Sequence, residues 1–206
     1  MKSTLRVVIA SAVFVFVASM ASGATAQELV TKQARNSPSF LLFQGDGRNF
    51  LLRDSLRYEI KRTKQIVIVP GGFVTDFASV PRWAQWVISI LGRHSVPAIV
   101  HDFLYWEQKC TREQADLILA DAMEEYHSNW FQMKIVYWAV RIGAGGNWST
   151  NASDRKQGLL KIVPANNADV PPNTDWYDYR KKLFDDGVKE EPFESNPAAC
   201  SLTTTS

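Results

Sequence analysis

The chain has 206 residues, 46% of them apolar, and it carries 23 basic and 21 acidic side chains. This length fits one domain with an extension, and with two cysteines the fold must rest on its core and not on a disulfide scaffold. The near balance of charge lacks the dense basic stripe of nucleic-acid-binding proteins, so nucleic acid is not an expected partner.

The first residues have the pattern of a signal peptide. Lys2 and Arg6 precede an apolar run over 7–18, and the small residues 24–26 (ATA) form a cleavage site before Gln27. The run is shorter than the roughly 20 residues of a membrane span, although an uncleaved anchor is the alternative. We therefore expect a signal peptide over 1–26, a periplasmic or secreted protein, and no integral membrane span after cleavage.

The remaining chain divides by composition. We expect a linker over 27–38, a single domain over 39–164, and a largely disordered acidic tail over 165–206, which holds eight acidic and four basic residues. The aromatic stretch 176–184 is the exception and could dock as one short amphipathic helix. Cys110 and Cys200 could be joined or free, because sequence alone does not supply the distance between them.

The first half of the domain has the short period of strands. Residues 40–43 and 50–52 flank the turn signal at 45–47 (GDG), which predicts a hairpin. Residues 56–61 alternate between apolar and charged side chains, as in a half-exposed strand, and 66–69 (IVIV) is a buried strand. Together they predict an antiparallel β meander of three or four strands.

After Pro81 the apolar period becomes that of helices. The pattern predicts four of them: 83–91, 97–106, one opening at the capping box 111–114 (TREQ), and 130–142, which the glycines of 143–146 would end. The expected buried face of the third helix includes Ala115, Ile118 and Leu119, with Asp121 on the solvated side. The fold class predicted from the sequence is α+β, with an N-terminal antiparallel β meander followed by a small bundle of about four helices.

Four motifs stand in order along this domain. They are residues 73–82 (FVTDFASVPR), 101–105 (HDFLY), the pair Ala115-Asp116, and 137–141 (YWAVR). The set resembles the domain of unknown function 1353 family, which occurs in bacteria and phages and has no settled activity. The resemblance spans about residues 40–148 and implies a fold, not a reaction.

A second, local resemblance implies chemistry. A His-Asp-x-x-Tyr motif on one helix, followed by Ala-Asp on the next, is similar to the core of secreted and parvoviral phospholipases A2. The resemblance implies that His101 is the base that activates water, that Asp102 binds calcium, and that Asp116 orients the imidazole. The Gly-rich calcium loop and flanking cysteines of that family are missing, and Ile99 and Val100 stand in the place of the cysteines.

The residues support this arrangement on physical grounds. Consecutive residues of a helix point about 100° apart, so His101 and Asp102 can face one water and one ion side by side. Tyr105 lies one turn beyond His101, and Asp116 lies at the edge of an apolar stripe, where a packed helix could present His101 to it. We expect His101, Asp116, Asp102 and Asp76 to converge in one pocket.

Calcium needs six to eight oxygens, so Asp76, Ser79 or backbone carbonyls of the 76–81 loop would have to complete the shell around Asp102. Arg82 and Arg141 are expected at the buried edge, each with a carboxylate or an anion as partner.

Two functions follow from these observations. The first is a calcium-assisted hydrolase acting on an ester of lipid or of another envelope substrate, with Asp102 and Asp76 as metal ligands and Ser79, Arg82, Tyr105 and Arg141 lining the site. The second is a non-catalytic cell-envelope or phage-related module that binds a partner through its aromatic-rich helical face. In the second case the His101-Asp102 pair and Asp116 form a structural network, and Asp76 and Ser79 cap a turn.

Overall fold

The structure, a computed structural model, describes residues 38–77, 95–125, 130, 134, 137, 138, 140, 141 and 145–201. Its strands are β1 (Phe40–Leu42), β2 (Phe50–Leu52), β3 (Leu56–Glu59), β4 (Ile66–Val69) and β5 (Val74–Thr75). Its helices are α1 (Ser95–Glu107), α2 (Arg112–Glu125), α3 (Gly145–Gln157) and α4 (Trp176–Asp185), with short 3-10 turns at Ala165–Asn167 and Pro197–Ser201.

The α+β class and the predicted hairpin are confirmed, but the strands form two sheets. β1, β2 and β5 make one antiparallel sheet in that order, and β3 and β4 make the other. The chain leaves the predicted meander at Gly72, whose N–H donates to the Leu52 carbonyl and so returns the strand to β2 instead of β4. In β3 the alternation is as predicted, with Leu56 and Tyr58 buried and Arg57 and Glu59 exposed.

α1 is the central helix of the fold. Nearly every residue from Val96 to Glu107 is buried, because the helix packs against α2, α3 and both sheets. A helix that is apolar all round belongs in a core, and any polar residue on it must find a partner there. His101 and Asp102 therefore lie in the middle of the protein by virtue of the helix that carries them.

α2 begins as predicted. Thr111 Oγ1 accepts from the Gln114 N–H at 3.2 Å, and the Gln114 side chain accepts from the Thr111 N–H at 2.8 Å, which is a complete capping box. Its buried face is formed by Ala115, Asp116, Ile118, Leu119, Ala122 and Met123. The helix predicted over 83–91 lies outside the described residues, and the described residues of the predicted helix 130–142 are helical.

α3 was not predicted, since the glycines at 143–146 read as the end of a helix and the structure begins one at Gly145. Its sequence carries no apolar stripe, and none of its residues is buried. Polar bonds hold it against α1 instead: Asn151 Nδ2 donates to the Tyr105 carbonyl at 3.1 Å and Arg155 Nη1 to the Trp106 carbonyl at 3.0 Å.

The prediction of a largely disordered tail is wrong for much of residues 165–201, whereas the short amphipathic helix that could dock over 176–184 is present as α4. α4 buries Trp176, Tyr179 and Leu183 in a second apolar cluster with Phe43 and Leu51 of the β1–β2 region. These three side chains follow a helical spacing and have strand residues to pack on, which composition alone does not reveal. Of the two alternatives for the cysteines, the structure has the disulfide between Cys110 and Cys200.

Candidate functional site

The His101 ring is joined to the carboxylate of Asp116. Its Nε2 lies 2.9 Å from Asp116 Oδ1, across the interface between α1 and α2, and 2% of His101 and none of Asp116 is exposed. Because an ionised carboxylate only accepts hydrogen bonds, Nε2 is the nitrogen that carries the proton in this contact. Among the described residues, Asp116 is the one hydrogen-bond partner of the His101 ring. A ring that holds one proton, on Nε2, would leave Nδ1 able to accept another.

Tyr105 completes the environment of the same carboxylate oxygen. Its hydroxyl donates to Asp116 Oδ1 at 2.7 Å, and its ring lies 4.2 Å from the His101 ring between centroids. Burial raises the pKa of the Tyr105 hydroxyl well above its ordinary value, and the hydrogen bond to Asp116 and the negative charge of that residue raise it further. Tyr105 therefore remains a donor at every physiological pH.

The second oxygen of Asp116 faces a guanidinium. Arg141 Nη1 lies 3.5 Å from Oδ2, an ion-pair distance, and Oδ2 accepts no hydrogen bond from the described residues. Arg141 is partly exposed, so it links a fully buried carboxylate to the surface. Asp116 is thus the carboxylate partner expected for Arg141. Two hydrogen-bond donors and one cation offset the free-energy cost of burying this carboxylate.

Asp102 belongs to a second buried contact, one residue along α1. Its Oδ2 accepts from Thr75 Oγ1 at 2.5 Å, and the same threonine oxygen accepts from the Phe77 N–H at 3.1 Å. Phe77 has a φ of 51°, a conformation that costs a bulky residue energy and is often kept at functional positions. Asp76, between these residues, is partly buried.

The predicted site residues fall into three groups. His101, Tyr105, Asp116 and Arg141 are brought together, whereas the contact found for Asp102 joins it to Thr75, next to Asp76. Ser79 and Arg82 lie outside the described residues. Within the described part of the chain, no group of three His, Cys, Asp or Glu side chains could hold a metal ion.

Two contacts of the site were not predicted from the sequence, and the exposure of one residue was predicted wrongly. Thr75 could be found only from the position of β5 against α1, and Trp148, whose ring meets the Tyr105 ring edge-on at 5.0 Å, belongs to the unpredicted α3. Asp121 was expected to be solvated, but its side chain is 15% exposed and pairs with Arg62 at 3.1 Å. Burial raises the pKa of Asp121, against the lowering effect of Arg62.

Two surface clefts have volumes of about 530 and 260 Å³. Trp106, Arg155 and Phe184 are among the residues around the larger one, and Leu117, Trp130 and Tyr137 among those around the smaller one. Neither is lined by His101 or Asp116, which are buried. Among the described residues, no helix has the length and apolar character needed to cross a membrane.

Comparison with known proteins agrees with the first resemblance. Searches of curated proteins and of solved structures find no match. A family model described as "Protein of unknown function (DUF1353)" matches residues 50–140. This segment runs from β2 to the helical residues beyond α2, and it contains His101, Tyr105 and Asp116. Over this segment, the chain is similar to the DUF1353 family.

Proposed function

We propose that this protein is a hydrolase of ester bonds in which His101 is the general base and Asp116 orients it. One observation carries the proposal: the buried imidazole presents Nε2 to a carboxylate at 2.9 Å, and a second donor, Tyr105, holds the same oxygen at 2.7 Å. A carboxylate held from two sides fixes both the tautomer and the orientation of the ring, which a general base requires.

The reaction would proceed in two steps. Nδ1 of His101 takes a proton from a water as the water oxygen bonds to the ester carbonyl carbon, and the carbonyl oxygen becomes an oxyanion. The tetrahedral intermediate then collapses, the bond to the alcohol oxygen breaks, and the leaving alcohol receives the proton from Nδ1. The positive ring formed between these steps is stabilised by the Asp116 carboxylate.

Calcium is a separate part of the proposal. When bound beside the base, the ion would polarise the ester carbonyl and stabilise the oxyanion. Asp102 and Asp76 have the carboxylate oxygens that calcium prefers, but they provide fewer than the six to eight oxygens of a full shell. The described residues therefore supply too few ligands to hold the ion by themselves, and the remaining oxygens would have to come from elsewhere in the chain or from water.

Export is also proposed. The disulfide between Cys110 and Cys200 supports it, because disulfides persist in the periplasm and outside the cell and are rare in a reducing cytosol. The test is the mass of the protein recovered from the periplasm or medium of an exporting bacterial host. We expect a chain that begins at Gln27, and retention of residues 1–26 would contradict the predicted cleavage.

The base is tested by hydrolysis of a p-nitrophenyl ester and of a fluorescent phosphatidylglycerol in the presence of calcium. His101→Gln can still donate to Asp116 but has no base, so we expect a rate loss of about a hundredfold with little change in melting. Asp116→Asn should lose about tenfold or more, because the ring loses its orienting charge. Asp121→Asn, on the same helix, is the matched control and should retain activity.

Calcium binding is tested by calorimetric titration of calcium chloride into the wild type and into Asp102→Asn. We expect heat of binding from the wild type alone, and activity that chelation abolishes and calcium restores. A wild type that hydrolyses the ester equally well after chelation would remove calcium from the mechanism and leave the base in place.

Burial of His101 favours the alternative, a non-catalytic envelope or phage-related module in which the same network is structural. In that case the wild type hydrolyses neither ester. His101→Ala would then serve only to measure stability, with a cost of about 1–3 kcal/mol from stranding Asp116. Absence of hydrolysis with calcium present would decide for this alternative.

A further inference from the structure

The two most exposed large apolar side chains in the described part of the chain belong to one helical segment. Trp130 is 67% exposed and Trp138 is 57% exposed. Lys134 lies between them in sequence, and its Nζ is 5.9 Å from the centre of the Trp130 ring. An indole left in water exposes a large apolar area that a partner could cover. These three residues are therefore a candidate binding surface.

Trp130, Lys134 and Trp138 are each helical in the structure, and their spacing is that of residues on one side of a helix. At about 100° per residue, positions 130, 134 and 138 fall within a sector of about 80°, and position 141 falls inside that same sector. Val140, outside it, is fully buried. Arg141 contacts Asp116 Oδ2 at 3.5 Å, so this exposed face is continuous with the residue that reaches the carboxylate of the proposed site.

The charges of this segment favour an anionic partner. Residues 130–141 include Lys134 and Arg141 and contain no aspartate or glutamate. Tryptophan and lysine together suit the boundary between lipid headgroups and acyl chains, since the indole has an apolar body with a polar N–H and the lysine stem can lie along apolar material while its ammonium stays in water. A basic side chain at that boundary is also attracted to anionic headgroups.

The adjoining cleft of about 260 Å³ fits the same partner. Its walls include Leu117 and Ala120 of α2 beside Trp130 and Tyr137, so apolar surface continues from Trp130 into the cleft. Glu124 also lines it, and Asp121 there is paired with Arg62. Arg62 and Lys134 balance Asp121 and Glu124, so the formal charge of the cleft is zero. Because Arg141 is paired with Asp116, Lys134 is the side chain that would contact lipid phosphate.

We propose that Trp130, Lys134 and Trp138 form a docking surface for phospholipid membranes that contain anionic headgroups. The tryptophans enter the headgroup region, and Lys134 contacts lipid phosphate. The proposal rests on the proposed function in one respect: a membrane bound at this face would supply the ester substrate of His101. Binding itself requires no catalysis and can be measured separately.

The experiment is sedimentation of the protein, taken in the form that an exporting host delivers, with vesicles of phosphatidylcholine alone or mixed with phosphatidylglycerol. We expect binding to both and tighter binding to the mixture. Trp130→Ala/Trp138→Ala should weaken binding to both about tenfold, because apolar area drives insertion. Lys134→Gln should weaken binding to the mixture about fivefold and leave phosphatidylcholine unaffected.

Two controls keep this test separate from that of the hydrolase. Tyr177→Ala removes an aromatic side chain of similar exposure on α4 and should bind vesicles as the wild type does. His101→Gln should also bind normally, which would support the surface even if no hydrolysis were found. The proposal is overturned if the wild type stays in the supernatant with both vesicles or if the double tryptophan variant binds equally well. Concentration-dependent dimerisation without vesicle binding, lost in that variant, would replace the membrane by a second copy of the chain.

Discussion

Tyr105 donates its hydroxyl hydrogen bond, at 2.7 Å, to the oxygen of Asp116 that also contacts the His101 ring. The two donors belong to one face of α1, one turn apart, and the acceptor belongs to α2. A carboxylate with no exposed surface would be costly without such partners, so the contact between the two central helices depends on this shared oxygen.

Replacement of Tyr105 by phenylalanine tests this contact. We expect a loss of about 1–3 kcal/mol in the free energy of unfolding, because one donor to a buried carboxylate disappears. Burial and Asp116 raise the pKa of this tyrosine in the folded state, so its contribution is complete below about pH 10 and declines at higher pH, where the unfolded chain ionises first. Urea unfolding of both proteins between pH 8 and 11 measures the difference, which should narrow at alkaline pH. A constant difference would contradict the assignment.

Asp46, in the β1–β2 turn, connects that turn to the start of α4. Burial raises its pKa, but hydrogen bonds from the backbone N–H groups of Arg48, Asn49 and Trp176 outweigh that effect and lower the pKa below its ordinary value. Because the pKa of Asp46 is lower in the folded state, its ionised carboxylate stabilises the fold above about pH 4. This stabilisation is lost as the pH falls through the folded-state pKa of Asp46.

We therefore expect Asp46→Asn to be less stable than the wild type by about 1–2 kcal/mol at pH 7 and by less at pH 3. Urea unfolding at the two pH values measures this, and Asp54→Asn, at an exposed position, serves as the matched control. Equal differences at both pH values would show that the charge of Asp46 is not involved.

The packing of α4 is tested by two neighbouring residues of that helix. Leu183 is buried in the second cluster, while Phe184 is 43% exposed. Leu183→Ala should cost about 2–5 kcal/mol through lost burial and the cavity left behind, and Phe184→Ala should change stability by less than about 1 kcal/mol. Thermal and urea unfolding of the two variants give the comparison. Similar small losses would mean that α4 is not part of the core in solution.

An interaction in this structure could be predicted where the residues that form it make a recognisable local pattern in the sequence. The capping box at Thr111 and the alternation in β3 are local, and both are as predicted. The contact between His101 and Asp116 could be inferred because Asp116 lies at the edge of an apolar stripe, where a buried carboxylate requires a partner.

Contacts between distant segments form no such local pattern in the sequence. The bond from Thr75 to Asp102 depends on how β5 lies against α1, and the bond from Trp176 to Asp46 joins residues 130 positions apart. α3 is held by bonds from Asn151 and Arg155 to α1 carbonyls, so it has no apolar period to detect. In each case the determining partner comes from the tertiary structure.

The disulfide between Cys110 and Cys200 closes a loop of 90 residues and fastens the end of the chain beside the start of α2. Such a loop restricts the unfolded chain, so its removal should lower the free energy of unfolding by about 2–4 kcal/mol. The double variant Cys110→Ser/Cys200→Ser serves as the reference for the reduced state. In urea unfolding, dithiothreitol should bring the wild type to the midpoint of the double variant and should leave the double variant itself unchanged. Because the reductant acts on both proteins under identical conditions, a wild type that unfolds at the same urea concentration with and without it would mean that the two cysteines are not joined in the folded protein.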